Sequence, residues 1–341
     1  MVLPVASRIA TGSPAPPPIK IGQIGVGHAH ANKLAVYRKS PDYQVVGIAE
    51  PNEKLRSEAE GERDFKGVPS MTVKQLLAVP GLQAVLIETD MRQSLDFAET
   101  CIAAGKHINI DKPAGVSLPQ FQRLLDAAAK QKLMVQVGYM YRYNPAVLLL
   151  REFLKNGWLG ELFEVHSVLS KVFPAASRQQ ASQYEGGVMF ELGCHIIDLT
   201  VGLLGKPTTV TPYRQRIKST HDNLYDNMLA VLEYPQAIAT VKSSAVEVDG
   251  NKRRHLVACG TEGTFHIQLL DTPAVRVAFS KPRYKYVEGY QDIALPKFQR
   301  YVADAADMAR VIRGEKDDDF SYEHELTVQT TVLKASNMPL S

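Results

Sequence analysis

Three ionisable side chains recur at helical spacing within an otherwise apolar stretch of the sequence. Glu191, His195 and Asp198 occupy positions i, i+4 and i+7 of the segment 188–204, in which nearly every other residue is apolar or small. At about 100° per residue, the three side chains fall on one face of a helix. A carboxylate one turn from an imidazole can fix the imidazole's tautomer and raise its basicity, which suits a general base. The alternative is a structural network of ionisable groups at a domain interface.

A second candidate is the lysine of the tripeptide Asp111-Lys112-Pro113, which directly follows the apolar run 107–110. Proline favours an extended backbone at the residue before it, so Lys112 should project from a strand end, where open α/β sheets bind their ligands. An ammonium group there can donate a hydrogen bond to a substrate hydroxyl and stabilise the alkoxide character that develops during hydride transfer. The alternative is an ordinary strand-to-helix turn that carries a surface lysine.

A third candidate is the glycine turn Gly25-Val26-Gly27, which lies between an apolar run at 19–24 and a segment with helical character. Glycine permits the tight turn and lets pyrophosphate oxygens approach the backbone. The free N–H groups at the start of the following helix attract the same anion. The pattern G-x-G-x-x-G is incomplete because His30 stands at its third glycine position. A plain turn is therefore the alternative to a dinucleotide site.

Glu50 strengthens the dinucleotide interpretation, because it ends the second apolar run, 43–49. A carboxylate at this place can accept hydrogen bonds from the ribose of an adenosine, and it repels a 2′-phosphate. The sequence therefore predicts NAD as the cofactor rather than NADP. The alternative is a surface acid beside Pro51.

His28 and His30 have the H-x-H spacing of some metal sites. A zinc site needs at least a third protein ligand, and nothing nearby in the sequence supplies one. We expect these two histidines to cap the start of the helix or to line the cofactor site, and we predict no metal.

Two domains of different architecture have to position these residues. In the first, short apolar runs alternate with helix-like segments, which indicates βαβ units and a parallel sheet covered on both faces. In the second, tight connections at 235–236 and 260–263 join strand-like runs, which indicates antiparallel hairpins. The predicted fold class is an α/β Rossmann-type dinucleotide-binding domain at 19–140, then an α+β domain for substrate binding and oligomerisation at 141–341, built on a large, mainly antiparallel open sheet.

Composition excludes several classes of protein. The 341 residues include 39 Lys and Arg against 36 Asp and Glu, a net charge of +3, which is too small a surplus to indicate nucleic-acid binding. No apolar run approaches the ~20 residues that a membrane helix needs. The three cysteines are far apart, which indicates a reducing compartment and hence the cytoplasm. Residues 1–18, rich in Ala, Ser and Pro, are predicted to be a disordered leader and no signal peptide.

Taken together, these features make the sequence from Ile19 onward similar to the Gfo/Idh/MocA oxidoreductases. Four motifs carry the resemblance: the glycine turn, the Asp-Lys-Pro tripeptide (where the family usually has Glu before the lysine), the segment 138–145, and Gly186-Gly187 with Glu191 and His195. The last of these resembles the family signature G-G-x-x-x-D-x-x-x-H, with Glu191 in place of the aspartate. The resemblance implies that Lys112, Glu191 and His195 act on a hydroxyl group of a sugar, polyol or cyclitol.

The sequence thus predicts an NAD-dependent dehydrogenase for a secondary hydroxyl of a carbohydrate-like small molecule. In this hypothesis Lys112 polarises the reacting oxygen, His195 takes the proton and Glu191 orients His195. The expected cofactor-binding residues are Gly25, Val26, Gly27, His28, His30, Glu50, Thr89, Asp111 and Lys112. The expected substrate contacts are Tyr139, Arg142, Tyr184 and Asp198.

Two other classes of function stay open. One is a glycoside hydrolase that uses bound NAD to oxidise and then re-reduce its substrate, as some members of the family do. The other is a catalytically silent sugar or nucleotide sensor, since the stretch 89–94 lacks the proline, asparagine and histidine that usually line the nicotinamide side in the family. Because an open antiparallel sheet leaves an apolar face that is usually covered, and family members commonly pair there, we also expect a homodimer or homotetramer.

Overall fold

The computed structural model describes residues 16–217 and 222–341, which form two β-sheets with their helices. The predicted leader, residues 1–18, lies outside the described residues except for its last three. Among the described residues, every helix is too short or too polar to cross a lipid bilayer.

The first sheet has five parallel strands in the order β2-β1-β3-β4-β5. The strands are β1 (Ile19–Ile24), β2 (Tyr43–Ala49), β3 (Leu82–Ile87), β4 (His107–Ile110) and β5 (Val135–Val137). They read as continuous apolar runs because helices cover both faces of a parallel sheet. The strand order changes direction between β1 and β3, and open α/β sheets bind ligands in the crevice at such a point, outside the carboxyl ends of the strands.

Five helices accompany this sheet: α1 (Leu34–Lys39), α2 (Glu53–Glu60), α3 (Val73–Leu77), α4 (Met91–Ala103) and α5 (Leu118–Gln131). A side-chain oxygen caps the start of four of them by accepting backbone N–H groups: Asn52 for α2, Thr72 for α3, Asp90 for α4 and Ser117 for α5. The helix after the glycine turn is short, with one 3₁₀ turn at Ala31–Lys33 and then the six residues of α1.

The second sheet has eight strands in the order β13-β12-β11-β10-β6-β9-β8-β7, and all neighbours are antiparallel except β6 and β9. The strands are β6 (Leu162–Val168), β7 (Thr209–Gln215), β8 (Asn227–Glu233), β9 (Ile238–Ser244), β10 (His255–Gly260), β11 (Gly263–Gln268), β12 (Val275–Phe279) and β13 (Gly289–Ile293). The hairpins β8–β9 and β10–β11 use the two predicted tight connections. A parallel sheet followed by a large, mostly antiparallel one confirms the predicted fold class.

The remaining helices join the two sheets: α6 (Pro145–Lys155), α7 (Ala175–Ala181), α8 (Cys194–Leu204), α9 (Val302–Ile312) and α10 (Tyr322–Ala335). A π-helical turn, Met189–Gly193, leads directly into α8. Helix α10 packs against α8, α5 and β7, and so contacts a helix of the first domain and the edge of the second sheet. Helix α9 returns to the first sheet, where Ala305 and Met308 share a buried core with Leu34 and Tyr37. These contacts hold the start of α8 over the carboxyl edge of the parallel sheet.

Candidate active site

Five ionisable side chains meet where β1, β3 and β4 end, and we call them the crevice cluster: His28, His30, Lys33, Glu88 and Asp111. The Lys33 ammonium lies 2.6 Å from Oε1 of Glu88 and 3.5 Å from Oδ1 of Asp111. Nδ1 of His30 lies 3.1 Å from that same Oδ1, and Nδ1 of His28 contacts Oδ2. Three residues expected at the cofactor site therefore lie together.

The charge of Asp111 follows from these neighbours. Burial alone would raise the pKa of this carboxyl, but His28, His30 and Lys33 hold the pKa well below its usual range. The carboxylate therefore stays ionised at neutral pH and only accepts hydrogen bonds.

The crevice cluster corrects one argument made from the sequence. His28 and His30 do have a third potential metal ligand, because Asp111 comes close in space although it is distant in the sequence. The three potential ligand atoms all lie within 4.8 Å of one another. However, the Lys33 ammonium already shares the Asp111 carboxylate, and its positive charge opposes that of a divalent ion.

Lys112 points from the end of β4 toward the second domain. Its ammonium donates a hydrogen bond of 2.8 Å to the backbone oxygen of Glu191 and lies 3.7 Å from Oε1 of the same residue. Burial disfavours the charged form, but Glu191 and Asp111 outweigh it and raise the pKa of Lys112 above its ordinary value. The side chain is only 3% exposed, so this is a desolvated cation at the crevice.

His195 reaches the same crevice from the first turn of α8. Its ring centroid lies 6.4 Å from that of His30 and 5.3 Å from that of Tyr141. Within the described residues its Nδ1 has no hydrogen-bond partner. Burial, together with the positive charge of Lys112, lowers the pKa of His195 well below the ordinary value. The imidazole is therefore neutral and lacks an orienting carboxylate.

The expected pairing of Glu191 with His195 is not formed. Glu191 belongs to the π-helical turn, whereas His195 belongs to the α-helix that follows, so the spacing assumed for one continuous α-helix does not apply. The carboxylate of Glu191 instead approaches Lys112 and is 28% exposed. Contrary to the expectation, Glu191 does not raise the basicity of His195.

Arg142 and Asp198, both expected to contact substrate, form a closed ion-pair group with Glu325, which we call the interdomain triad. The Arg142 guanidinium lies 2.6 Å from Oδ1 of Asp198 and 2.5 Å from Oε1 of Glu325, and each side chain is 1% exposed. Charges buried this deeply have to pair with one another. The expectation that Arg142 and Asp198 contact the substrate is therefore corrected. The structure supports the alternative interpretation, a structural network of ionisable groups at a domain interface.

The two tyrosines expected at the substrate site occupy different places. The Tyr139 ring lies 6.0 Å from the His195 ring, and its buried hydroxyl has no partner in the part of the chain that the structure describes. The Tyr184 hydroxyl donates a hydrogen bond of 3.1 Å to Asp90, the residue that caps α4. Tyr139 thus lies beside His195, whereas Tyr184 forms a hydrogen bond between the second domain and the start of α4 in the first.

The glycine turn is required by its surroundings. Gly25 has a φ of +91°, and a Cβ there would lie 2.5 Å from the backbone oxygen of Glu88 and 2.8 Å from the Thr89 side chain. A Cβ at Gly27 would lie 2.8 Å from the Leu55 side chain. Only glycine therefore lets the ends of β1 and β3 approach each other, with Thr89 beside the turn.

Glu50 lies directly after β2, at the end of the crevice away from the crevice cluster. Its carboxylate accepts hydrogen bonds of 2.8 Å from the backbone N–H of Val26 and from that of Asn52. Next to it is a cavity of about 490 Å³ whose lining includes Glu50, Arg56, Ser70 and Thr72. A glycine turn that a Cβ would obstruct, together with a cavity beyond β2 that is lined by both polar and apolar side chains, fits the pyrophosphate and adenosine parts of a dinucleotide.

Sequence reasoning missed three residues of the site: Lys33, Glu88 and Tyr301. Glu88 had a signal, because it directly follows a buried apolar run at 82–87, as Asp111 follows the run 107–110. Tyr301 lies 6.0 Å, ring to ring, from His30, and its ring is 5.5 Å from the Lys33 ammonium. It comes from the start of α9, and nothing in its local sequence indicates this position.

The chain matches two models of one protein family. The family model described as "Oxidoreductase family, NAD-binding Rossmann fold" matches residues 19–139, and the model of the GFO/IDH/MocA C-terminal domain matches residues 147–266. Trans-1,2-dihydrobenzene-1,2-diol dehydrogenase of Homo sapiens is 24% identical over 221 residues, which is 64% of this chain and 65% of that protein. The chain spans between about half and two thirds of the length of the curated relatives it matches.

Two solved structures share the fold over nearly the whole chain. An oxidoreductase from Desulfitobacterium hafniense, described as NADPH-dependent, has a TM-score of 0.80 at 20% identity and covers 94% of this chain and 95% of its own. UDP-N-acetylglucosamine 3-dehydrogenase GnnA from Acidithiobacillus ferrooxidans has a TM-score of 0.78 at 20% identity and covers 94% and 97%. The two family matches together span most of the described sheets, and the chain therefore belongs to the Gfo/Idh/MocA family of oxidoreductases, with a Rossmann domain for a nicotinamide dinucleotide.

Proposed function

We propose that the protein is an NAD-dependent dehydrogenase that acts on a secondary hydroxyl of a sugar, polyol or cyclitol. The observation that carries the proposal is the desolvated Lys112 ammonium, which lies at the crevice together with two imidazoles, those of His30 and His195. When bound, the dinucleotide accepts or supplies the hydride. Lys112 donates a hydrogen bond to the reacting oxygen and stabilises its negative charge, and an imidazole holds the proton that the hydroxyl loses.

Two of the similar proteins support the substrate class. The human relative is named for the oxidation of a diol, and the Acidithiobacillus structure is named as a dehydrogenase of a nucleotide sugar at a numbered carbon. Both names describe substrates with hydroxyl groups on adjacent or ring carbons. A polyhydroxylated small molecule is therefore the class that we propose for this chain.

We propose NAD rather than NADP as the cofactor. Glu50 supports this choice, because its carboxylate borders the cavity beyond β2 and would repel a 2′-phosphate. Arg56 lines the same cavity, but its guanidinium donates to the backbone oxygen of Glu50 at 3.0 Å. Fluorescence titration with NADH and NADPH tests the choice, and tighter binding of NADPH would refute it.

We also propose that two or four copies associate through the second sheet and that the protein is cytoplasmic. Alternate residues of β8 are half-exposed on the face opposite the core, and Ile238 of the neighbouring β9 is 58% exposed. A sheet face of this kind is normally covered in the native assembly. The cytoplasmic location is supported by three unpaired cysteines. Light scattering on the full chain that gives the mass of a monomer would refute the association.

The proposed function is tested by following NADH absorbance with the full chain, NAD and a panel of sugars, polyols and cyclitols. At least one member should be oxidised, and Lys112→Met should lose roughly 100- to 1,000-fold in turnover, because one donor to the developing oxyanion is removed. Lys130→Met is the matched control, since Lys130 is exposed on α5. Equal turnover by wild type and Lys112→Met would contradict the proposed role, and failure to bind any dinucleotide would contradict the function.

A further inference from the structure

Asp111 holds an imidazole on each of its two oxygens. Nδ1 of His30 lies 3.1 Å from Oδ1, and Nδ1 of His28 contacts Oδ2. An ionised carboxylate only accepts hydrogen bonds, so Nδ1 of His30 has to carry a proton to bond to it, whereas Nδ1 of His28 also accepts the backbone N–H of His30 at 3.3 Å. For a neutral His30 this fixes the proton on Nδ1 and leaves the lone pair on Nε2.

His30 is the member of this pair that faces the crevice. Its side chain is 18% exposed, compared with 8% for His28, and its ring centroid lies 6.0 Å from that of Tyr301. Within residues 16–217 and 222–341, its Nε2 forms no hydrogen bond, and its one side-chain bond is the contact of Nδ1 with Asp111. The free acceptor of His30 is therefore available to a bound molecule.

Asp111, which contacts His30, and Lys112, which is proposed to polarise the reacting oxygen, are neighbours in the chain. Asp111 holds His30, and Lys112, the next residue, carries the ammonium that faces the second domain. The turn at the end of β4 therefore sets the distance between the His30 imidazole and the Lys112 ammonium. His195, by contrast, has no hydrogen-bond partner at Nδ1 among the described residues, and burial together with the charge of Lys112 outweighs the attraction of Asp111 for a protonated ring.

From this arrangement we propose that His30, oriented by Asp111, is the general base of the proposed dehydrogenase reaction. The O–H bond of the substrate breaks as its proton passes to Nε2 of His30. Bound NAD would supply the oxidant for this step: it would take the hydride from the C–H bond of the same carbon, leaving a carbonyl and NADH. His195 remains neutral and positions the substrate. The inference rests on the proposed function, and it replaces the role assigned to His195 from the sequence.

The first test observes the imidazoles directly. Long-range ¹H–¹⁵N spectra of the ¹⁵N-labelled full chain, assigned with His30→Gln, should show His30 with its proton on Nδ1. Asp111→Asn should remove this preference, because an amide group can donate to the ring as well as accept from it. His166 on the second sheet is the internal control and should not change. A wild-type His30 with its proton on Nε2 would overturn the proposal.

The second test measures turnover on a substrate that the wild type oxidises. His30→Ala should lose roughly 100- to 10,000-fold in kcat, the usual contribution of a general base, and added imidazole should restore part of the loss. His195→Asn should raise KM more than it lowers kcat. If wild type is active and His30→Ala keeps its kcat within about threefold, His30 is not the base. If wild type oxidises nothing, the proposed function itself fails, and the base role fails with it.

Zinc titration distinguishes a role of His30 as a base from a role as a metal ligand. The full chain, titrated with ZnCl₂ alone, should not bind zinc stoichiometrically at micromolar concentration, because Lys33 occupies the Asp111 carboxylate. Stoichiometric binding that is lost in His28→Ala would overturn the proposal, since the two imidazoles would then be metal ligands.

Discussion

Two groups of buried charges in this protein differ in whether every member is fully buried and paired within the group. In the interdomain triad, the guanidinium of Arg142 pairs with two carboxylates, and each of the three side chains is 1% exposed. In the crevice cluster, Asp111 also has several charged partners, but one of them, His30, is 18% exposed, and its Nε2 forms no hydrogen bond within the described residues. Burial and charge are common to both groups, whereas the second includes a partly exposed imidazole whose Nε2 forms no hydrogen bond in the part of the chain that the structure describes.

A buried ionisable group with a shifted pKa is therefore a weak sign of function until all of its charged partners are known. Asp198 lies on the same helix face as His195 and has a lowered pKa because Arg142 outweighs the effect of burial. Every one of these features is typical of an active-site carboxylate. Its partner Arg142, however, also pairs with Glu325 from α10, and this makes the triad a connection between elements.

The largest expected effect tests whether the triad is structural. Arg142→Met should lower the free energy of unfolding by about 3–5 kcal/mol, because Asp198 and Glu325 would remain buried without their cation. Denaturant titration measures the change, with Arg63→Met, at an exposed position, as the control. A loss below about 1 kcal/mol would show that the triad contributes little to stability.

The next effect concerns the backbone that supports the crevice cluster. Gly25→Ala should cost about 2–4 kcal/mol, since it combines a left-handed backbone with a Cβ that meets the carbonyl of Glu88. Gly67→Ala is the matched control, because its φ is also positive, +77°, but nothing lies within 4 Å of the added Cβ. Thermal or denaturant unfolding that finds equal losses for both would contradict a steric role for this turn.

A smaller effect is expected at the adenosine end. Glu50→Gln removes the charge that opposes a 2′-phosphate, and the preference for NADH over NADPH should fall by about tenfold, which corresponds to about 1.4 kcal/mol. Parallel fluorescence titrations with the two cofactors measure the ratio of the dissociation constants. An unchanged ratio would mean that Glu50 serves only to hold the backbone N–H groups of Val26 and Asn52.

The smallest expected change in stability is at His30 itself. His30→Ala should alter the free energy of unfolding by no more than about 1 kcal/mol, because Asp111 keeps His28 and Lys33 as partners. Its effect should appear in turnover instead, the reverse of Arg142→Met. A stability loss comparable to that of the Arg142 variant would erase the distinction between the two groups.

The sequence predicted the parallel sheet better than the antiparallel one. The runs 19–24, 43–49 and 107–110 coincide with strands, because strands covered on both faces are continuously apolar. The strands β7, β12 and β13 were not predicted: β7 and β13 carry polar residues on their exposed faces, and β12 alternates between buried and more exposed positions over only five residues. Half-exposed strands at the two ends of a sheet lack the signal that buried strands have.

The candidate site was predictable where it depends on strand ends and not where it depends on distant partners. Asp111 and Lys112 could be placed at the crevice because the carboxyl ends of parallel strands meet at one edge. The pairing of Glu191 with Lys112 depends on a π-helical turn, which the periodicity of the segment does not indicate. The triad depends on Glu325, which is remote in the sequence from both Arg142 and Asp198.

The central claim is that Lys112 assists the direct transfer of a hydride from a substrate carbon. The measurement that tests it is transfer of deuterium from a polyol, deuterated at its oxidised carbon, to NAD, detected by mass spectrometry of the dinucleotide. Wild type should form singly deuterated NADH, and Lys112→Met should form at least 100-fold less in the same time. Label that never reaches the dinucleotide, or reaches it equally fast in both proteins, would contradict the account.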